Sequence, residues 1–378
     1  MPPATDPLRA DGFAGVRLHV VTGKGGTGKT TVAAALAMAL AAQGKRVLLA
    51  EVEGRQGISQ TFDVPPLPTV ETRVAGGAHG GEVVGLAVDA KTALLEYLQL
   101  FYKLGRAGGV LERFGAIDFA TTIAPGVRDL LLIGRVYEAS RRRHDAKHHR
   151  GSPPDELAYD AIVLDAPPTG RIPRFLSVGT EVADLARMGP IHSQAGSITE
   201  LLHSGATRVH VVTLLEEMPV QETVDAVAEL QAIGMPVGAV IINQARTRAD
   251  LVAAPSPQAL RPATGVASGF AADEAADEAA GFAADEAAGF AADEAADLAA
   301  DLRTDLASVG LDVPDATVAA LIEQVSRHRE RVALEVEQLA VLEDLGQPLV
   351  TVPFLIDGVD LDAITEIADL LAAQGMVP

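Results

Sequence analysis

Short apolar runs recur along this chain, and most are followed by a segment of helical period. Residues 16–22, 46–50, 83–89, 159–165, 209–214, 240–244 and 348–354 are largely aliphatic and β-branched, the composition of strands buried on both faces. Residues 31–40, 93–98, 318–345 and 361–373 instead carry helix formers, and helices are expected to continue through 125–131 as far as residue 143. Strands alternating with helices predict an α/β, three-layer fold: a mainly parallel sheet flanked by helices. The longest apolar run, 32–42, is too short to span a bilayer and belongs to the first helix.

One stretch fits neither period. Residues 271–302 form a four-residue array of Ala-Ala-Asp-Glu, Ala-Ala-Gly-Phe and Ala-Ala-Asp-Leu units. A period of four drifts about 40° per repeat against a helix of 3.6 residues per turn, so no fixed apolar face forms and Phe270, Phe282 and Phe290 cannot share a stripe. The array reads as an Ala-rich, partly helical, solvated insert that catalysis does not need.

The first strand runs directly into Gly23-Lys24-Gly25-Gly26-Thr27-Gly28-Lys29-Thr30, and Thr31 continues into the first helix. Strand, glycine loop and helix N-terminus together satisfy G-x-x-x-x-G-K-[ST], in which backbone N–H groups wrap a nucleotide's phosphates. In that layout Lys29 reaches the β- and γ-phosphates and the Thr30 hydroxyl ligates Mg²⁺. A nucleotide and Mg²⁺ are therefore the expected ligands. The second strand delivers Glu51 and Glu53 to its C-terminal edge, where ligands sit in doubly wound sheets. Such carboxylates serve beside Mg²⁺ and an attacking water, or simply end a strand in solvent. Residues 159–165 end in Asp165, the layout of a Walker B carboxylate that holds Mg²⁺ through water.

Composition narrows the alternatives. The chain has 378 residues and no cysteine, which removes disulfides, thiolate metal sites and a structural zinc held by cysteine. The formal charge of −21 disfavours a general nucleic-acid or anionic-membrane binder. Much of it is local: residues 273–305 hold eleven carboxylates against the single base Arg303. The basic run 141–150 reads as a helix end and loop rather than a metal or anion site. The N-terminus lacks the layout of a signal peptide, so a cytoplasmic location is expected.

The full loop G-K-G-G-x-G-K-[ST] resembles the deviant Walker A of the MinD, ParA, nitrogenase iron protein and ArsA group, with Lys24 at the position of its extra lysine. Residues 53–62 resemble the first switch of ArsA and Get-pathway ATPases, Asp-Pro-Ala-His-Asn-Leu-Ser-Asp-Ala-Phe. Laid on it without gaps, Glu53 falls on the water-positioning Asp, Gln56 on the His, and Ser59 and Phe62 on identical residues. Residues 165–176 resemble the second switch, sharing Thr169-Gly170 and Arg174-Phe175-Leu176 and carrying Arg171 where the family has His. The likeness runs from about residue 16 to the C-terminus, interrupted by the insert, and is nearest in character to actinobacterial ArsA-like ATPases.

The resemblance implies a single ATPase domain over 1–378, with a helical subdomain at about 92–145 and 176–204 and the insert at about 262–304. It implies that Lys24 reaches a partner subunit's phosphates and that Asn243 and Glu216 touch the nucleotide. Pro353 and Phe354 would pack on its adenine. It implies a dimer, either homodimeric or with a paralogous ArsA-like subunit, coupled to a partner or an anion-transport system. A targeting chaperone with a membrane-protein client ranks second; such binders favour methionine-rich surfaces, and this chain has six methionines. A MinD- or ParA-type positioning protein ranks third, because residues 369–378 carry no base for membrane attachment.

Overall fold

The structure is a computed structural model that describes residues 13–52, 54, 56–102, 125–143, 157–185, 190–246, 292–355 and 358–377. Its sheet has eight strands: β1 (Leu18–Gly23), β2 (Arg46–Glu51), β3 (Thr72–Gly76), β4 (Glu82–Ala87), β5 (Ala161–Asp165), β6 (Thr207–Thr213), β7 (Val237–Ala245) and β8 (Leu349–Pro353). Their order is β3-β4-β2-β5-β1-β6-β7-β8. From β4 through β7 each neighbouring pair is parallel, and β3 is antiparallel against β4. The three-layer α/β expectation therefore holds. The antiparallel edge β3 went unforeseen, since its five residues are exposed or half-buried and carry no apolar run.

The helices are α1 (Lys29–Ala42), α2 (Gly57–Thr61), α3 (Ala90–Tyr102), α4 (Pro125–Arg141), α5 (Ile172–Leu185), α6 (Pro190–Leu202), α7 (Glu217–Ala232), α8 (Ala292–Ser308), α9 (Asp315–Glu343) and α10 (Leu361–Ala373). None among the described residues is long and apolar enough to cross a membrane. α1 is apolar all round because both its sides are covered. One side meets Val21, Val47, Leu49 and Val163 on the sheet, and the other meets Ile364, Ile367 and Leu371 of α10. Alanines at 33, 34, 35, 37, 39 and 41 allow that close three-layer stacking.

Two compact units divide the chain. The first comprises Met1–Leu214, Met218–Gln244 and Leu345–Pro378, and so contains the sheet, α1 and α10. The second comprises Leu215–Glu217 and Ala245–Asp344. Within it α8 packs on α9, Arg303 bonds Asp315 at 2.9 Å, and Arg246 pairs with Glu335. Helix α8 contains the end of the four-residue array; its earlier repeats lie outside the described residues.

Candidate functional site

The phosphate loop leaves β1 at its C-terminal end and is gripped by β6 and β7. Gly23 lies against β6 so closely that a Cβ there would stand 2.1 Å from the Val212 carbonyl oxygen. Gly28 caps α1 in the left-handed region at φ 87°, and a Cβ would collide with the Asn243 amide at 2.2 Å. Glycine is the residue that fits both constraints. The buried Asn243 Nδ2 donates to the Thr27 carbonyl at 2.9 Å, so the end of β7 braces the loop from the side.

Lys29 and Lys24 face different surroundings. Lys29 Nζ donates to the Lys24 carbonyl at 3.1 Å, which holds its ammonium under the loop. Lys24 itself turns outward and pairs with Glu222 of α7 at 2.8 Å, both side chains about one-third exposed. Glu222 also accepts from the Thr169 hydroxyl at 3.0 Å. The Lys24 contact holds the Glu222 carboxyl below its usual range, with slight burial opposing and Thr169 assisting. One carboxylate thus joins the outer lysine to the loop after β5. That loop is tied to β1 as well: Thr22 Oγ1 donates to the Pro167 carbonyl at 2.7 Å, and Thr169 N–H donates to the Gly23 carbonyl at 3.3 Å.

At the opposite side of the loop, Thr30 Oγ1 donates to Asp165 Oδ2 at 2.6 Å. Asp165 and Glu51 are register partners at the ends of neighbouring parallel strands, so their side chains leave the same sheet face, the one that α1 covers. Glu51 is 3 % exposed. Its Oε2 accepts from the Ile58 N–H of α2 at 3.2 Å, while Oε1 is buried without a partner among the described residues. Gly57, the first residue of α2, abuts Thr30: a Cβ there would come within 3.0 Å of the threonine methyl carbon. A hydroxyl, two carboxylates and a helix start therefore converge at one corner. An oxygen-rich set with an orphaned, buried carboxylate oxygen suits a hard divalent cation such as Mg²⁺.

Glu53 falls outside the described residues. Glu216 is exposed, directly before α7, and belongs to the second unit. Pro353 ends β8, and Phe354 follows it with 60 % of its surface exposed. Gly25 and Gly26 are exposed at the loop's tip, and Thr31 is half-buried in the first turn of α1. Gln56, in the left-handed region at φ 57°, clamps a neighbouring backbone, its amide bonding both Leu67 N–H (2.7 Å) and the Leu67 carbonyl (3.3 Å). Sequence reasoning missed the Glu222 contact and Gly57, because the pairing partners are distant in the chain and a single Glu or Gly carries no local signal.

The family model described as "Anion-transporting ATPase" matches residues 16–204, from β1 to the end of α6. The ATPase BagA of Mycobacterium tuberculosis is 45% identical over 364 residues, covering 96% of this chain and 95% of its own length. A Chlorobaculum tepidum protein named for driving an arsenical pump is 24% identical over 269 residues, 61% of each chain. An ATPase ASNA1 homolog of Entamoeba dispar is 22% identical over 260 residues, 59% of this chain and 75% of its own. With a phosphate-binding loop closed by β6 and β7 and a near full-length relative at this identity, the chain belongs to the ArsA, or anion-transporting, ATPase family, and it binds and hydrolyses ATP.

Proposed function

We propose that this ATPase is a dimeric, Mg²⁺-dependent switch whose nucleotide state is coupled to a partner protein or anion-transport system in the cytoplasm. The observation that carries the reading is Lys24, paired in its own subunit with Glu222 and, through it, with Thr169. A lysine on the outer side of the loop serves the phosphates best when a second subunit faces it. In the separate subunit Glu222 supplies the counter-charge; on closing, the partner's nucleotide replaces it. The facing subunit is a second copy or a paralogue. The chain acts as one ATPase domain, its helical subdomain at about 92–145 and 176–204 and its insert at about 262–304.

Within each subunit the loop amides of Gly25 to Thr30 cradle the phosphates, and Lys29 neutralises charge on the β- and γ-phosphates. Thr30 and Asp165 would hold Mg²⁺, which supplies charge neutralisation at the transferring phosphoryl group. Glu53 orients the attacking water and accepts its proton, so that ATP and water give ADP and phosphate. Asn243, Glu216, Pro353 and Phe354 bound the nucleoside. Sedimentation of the full chain with a non-hydrolysable ATP analogue, with and without Lys24→Ala, tests the switch. The wild type should assemble, and the variant should bind nucleotide yet fail to close and hydrolyse. A variant that turns over like wild type overturns the reading.

A further inference from the structure

We infer that Glu51 is a second metal-facing carboxylate of the ATP site, with Oε1 accepting a hydrogen bond from a water of the bound divalent cation. The inference rests on the proposed nucleotide–metal site and extends it to a residue that the resemblance leaves out: the first-switch motif begins at Glu53 and assigns nothing to position 51.

Three observations meet at this side chain. First, it ends a buried strand, 3 % exposed, with one oxygen anchored by the Ile58 N–H at 3.2 Å and the other without a partner among the described residues. Buried carboxylate oxygens without partners are costly, and most proteins pair them. Second, its register partner is Asp165, whose Oδ2 already receives Thr30 Oγ1 at 2.6 Å. Third, the N–H that anchors Glu51 follows Gly57, whose backbone packs directly on Thr30. Glu51 is thereby held at the Thr30–Asp165 corner by one oxygen, leaving the other unpaired.

The alternative is a purely structural role, in which Glu51 only fastens α2 to β2. That role needs one acceptor oxygen, which an uncharged side chain supplies at lower cost. The second, unpaired oxygen is what a cation's hydration shell would satisfy. Mg²⁺ keeps several of its waters when bound, and carboxylates that bond such waters orient them without direct ligation. Acting through water, Glu51 is a positioning residue.

The test uses the full chain with ADP and Mn²⁺ as the spectroscopic probe, monitored by electron paramagnetic resonance. Glu51→Gln keeps the size and the Ile58 contact but removes the charge. It should bind ADP in chelator as wild type does, and bind Mn²⁺ in the ADP complex about 10- to 100-fold more weakly. Its metal-free melting temperature should not fall, and the further rise that Mn²⁺ gives the ADP-bound wild type should shrink. Glu51→Asp should recover part of the Mn²⁺ affinity. Unchanged Mn²⁺ affinity in Glu51→Gln overturns the inference, as does a fall in metal-free melting temperature in both variants, which marks a structural strut. If the wild type shows no ADP-dependent Mn²⁺ site, the underlying metal-site reading fails instead, and Glu51 fails with it.

Discussion

Two glutamates beside the same sheet show opposite uses of a carboxylate. Glu71 precedes β3 and is saturated: it meets Arg142, Arg135 at 3.2 Å and the Tyr159 hydroxyl at 2.7 Å. Burial alone would raise the Glu71 carboxyl, but the Arg142 and Tyr159 contacts and both guanidinium charges outweigh it and hold it low. Tyr159 is correspondingly pushed well above its usual range by burial and by the Glu71 bond. Arg135 extends the knot to Glu96 at 2.9 Å and Glu138 at 2.6 Å, so β3, α3, α4 and the entry to β5 are fastened together. Glu51 is more deeply buried yet keeps one oxygen unpaired among the described residues. The difference teaches how to tell a strut from a site: a strut's polar groups find their partners within the chain, whereas a site retains capacity for something else.

The sharpest break between the two regions comes from Lys29→Ala. It should weaken ATP at least ~100-fold, the value of a charge-assisted contact to phosphate of about 3 kcal/mol, while leaving the melting temperature nearly unchanged. Calorimetric titration with ATP checks this, and unaltered affinity would sink the phosphate-loop assignment.

Glu71→Ala should do the reverse. Removing it leaves the partly buried Arg142 without its main counter-charge and takes one of three carboxylates from Arg135, at a cost of about 2–4 kcal/mol after allowing for their partial exposure. Urea denaturation should record the loss, with ATP turnover per folded molecule preserved. If turnover collapses while stability holds, Glu71 is no strut.

The pair His19–His210 carries the comparison into the middle of the sheet. The rings stack 5.4 Å apart with His19 Nδ1 and His210 Nε2 at 3.1 Å. His210 Nδ1 accepts the Ala239 N–H at 3.1 Å, which places its proton on Nε2 and makes His19 Nδ1 the acceptor. Burial, with Lys45 and Arg208 adding positive charge, lowers His19 from 6.5 to about 3; burial, His19 and Arg208 take His210 well below 6.5. Both are neutral in the fold, so their contribution is complete above the unfolded value near 6.5 and is lost as pH falls from there toward 3. At pH 5 the loss from His19 is about 2 kcal/mol, and His210 adds to it in the same direction. The pH dependence of stability between 7.5 and 5, read by urea denaturation, should flatten in a His19→Leu, His210→Leu variant; an unchanged slope would mean that the pair stays charged or solvated.

Glu222→Gln should have the smallest effect on stability, below about 1 kcal/mol, because the Lys24 pair is partly exposed. Freed from its own counter-charge, Lys24 should make the ATP-analogue-driven dimer form at lower protein concentration, measured by sedimentation. Weaker assembly than wild type would show that Glu222 supports the closed state instead of competing with it.

Much of this molecule could be read locally. Continuous apolar runs are the signature of strands covered on both faces, and they marked seven of the eight strands within a few residues. The glycine loop was legible because its function constrains adjacent residues: a backbone that wraps phosphate demands glycine and lysine at fixed spacing. Residues 361–373 formed the closing helix as expected, and Asp165 ended its strand as expected. Other features depend on pairings across the chain. β3 has no hydrophobic signal of its own and exists because β4 offers an edge. Lys24 and Glu222 lie 198 positions apart and meet only because β1 and β6 are neighbours. Glu51 and Glu53 look alike along the chain, two acids at a strand end. The parallel register is what sets Glu51 opposite Asp165, and the start of α2 is what occupies one of its oxygens. Local composition determines which elements form, because propensity and burial act over a few residues; strand order determines which side chains meet, because that follows from packing the whole sheet at once.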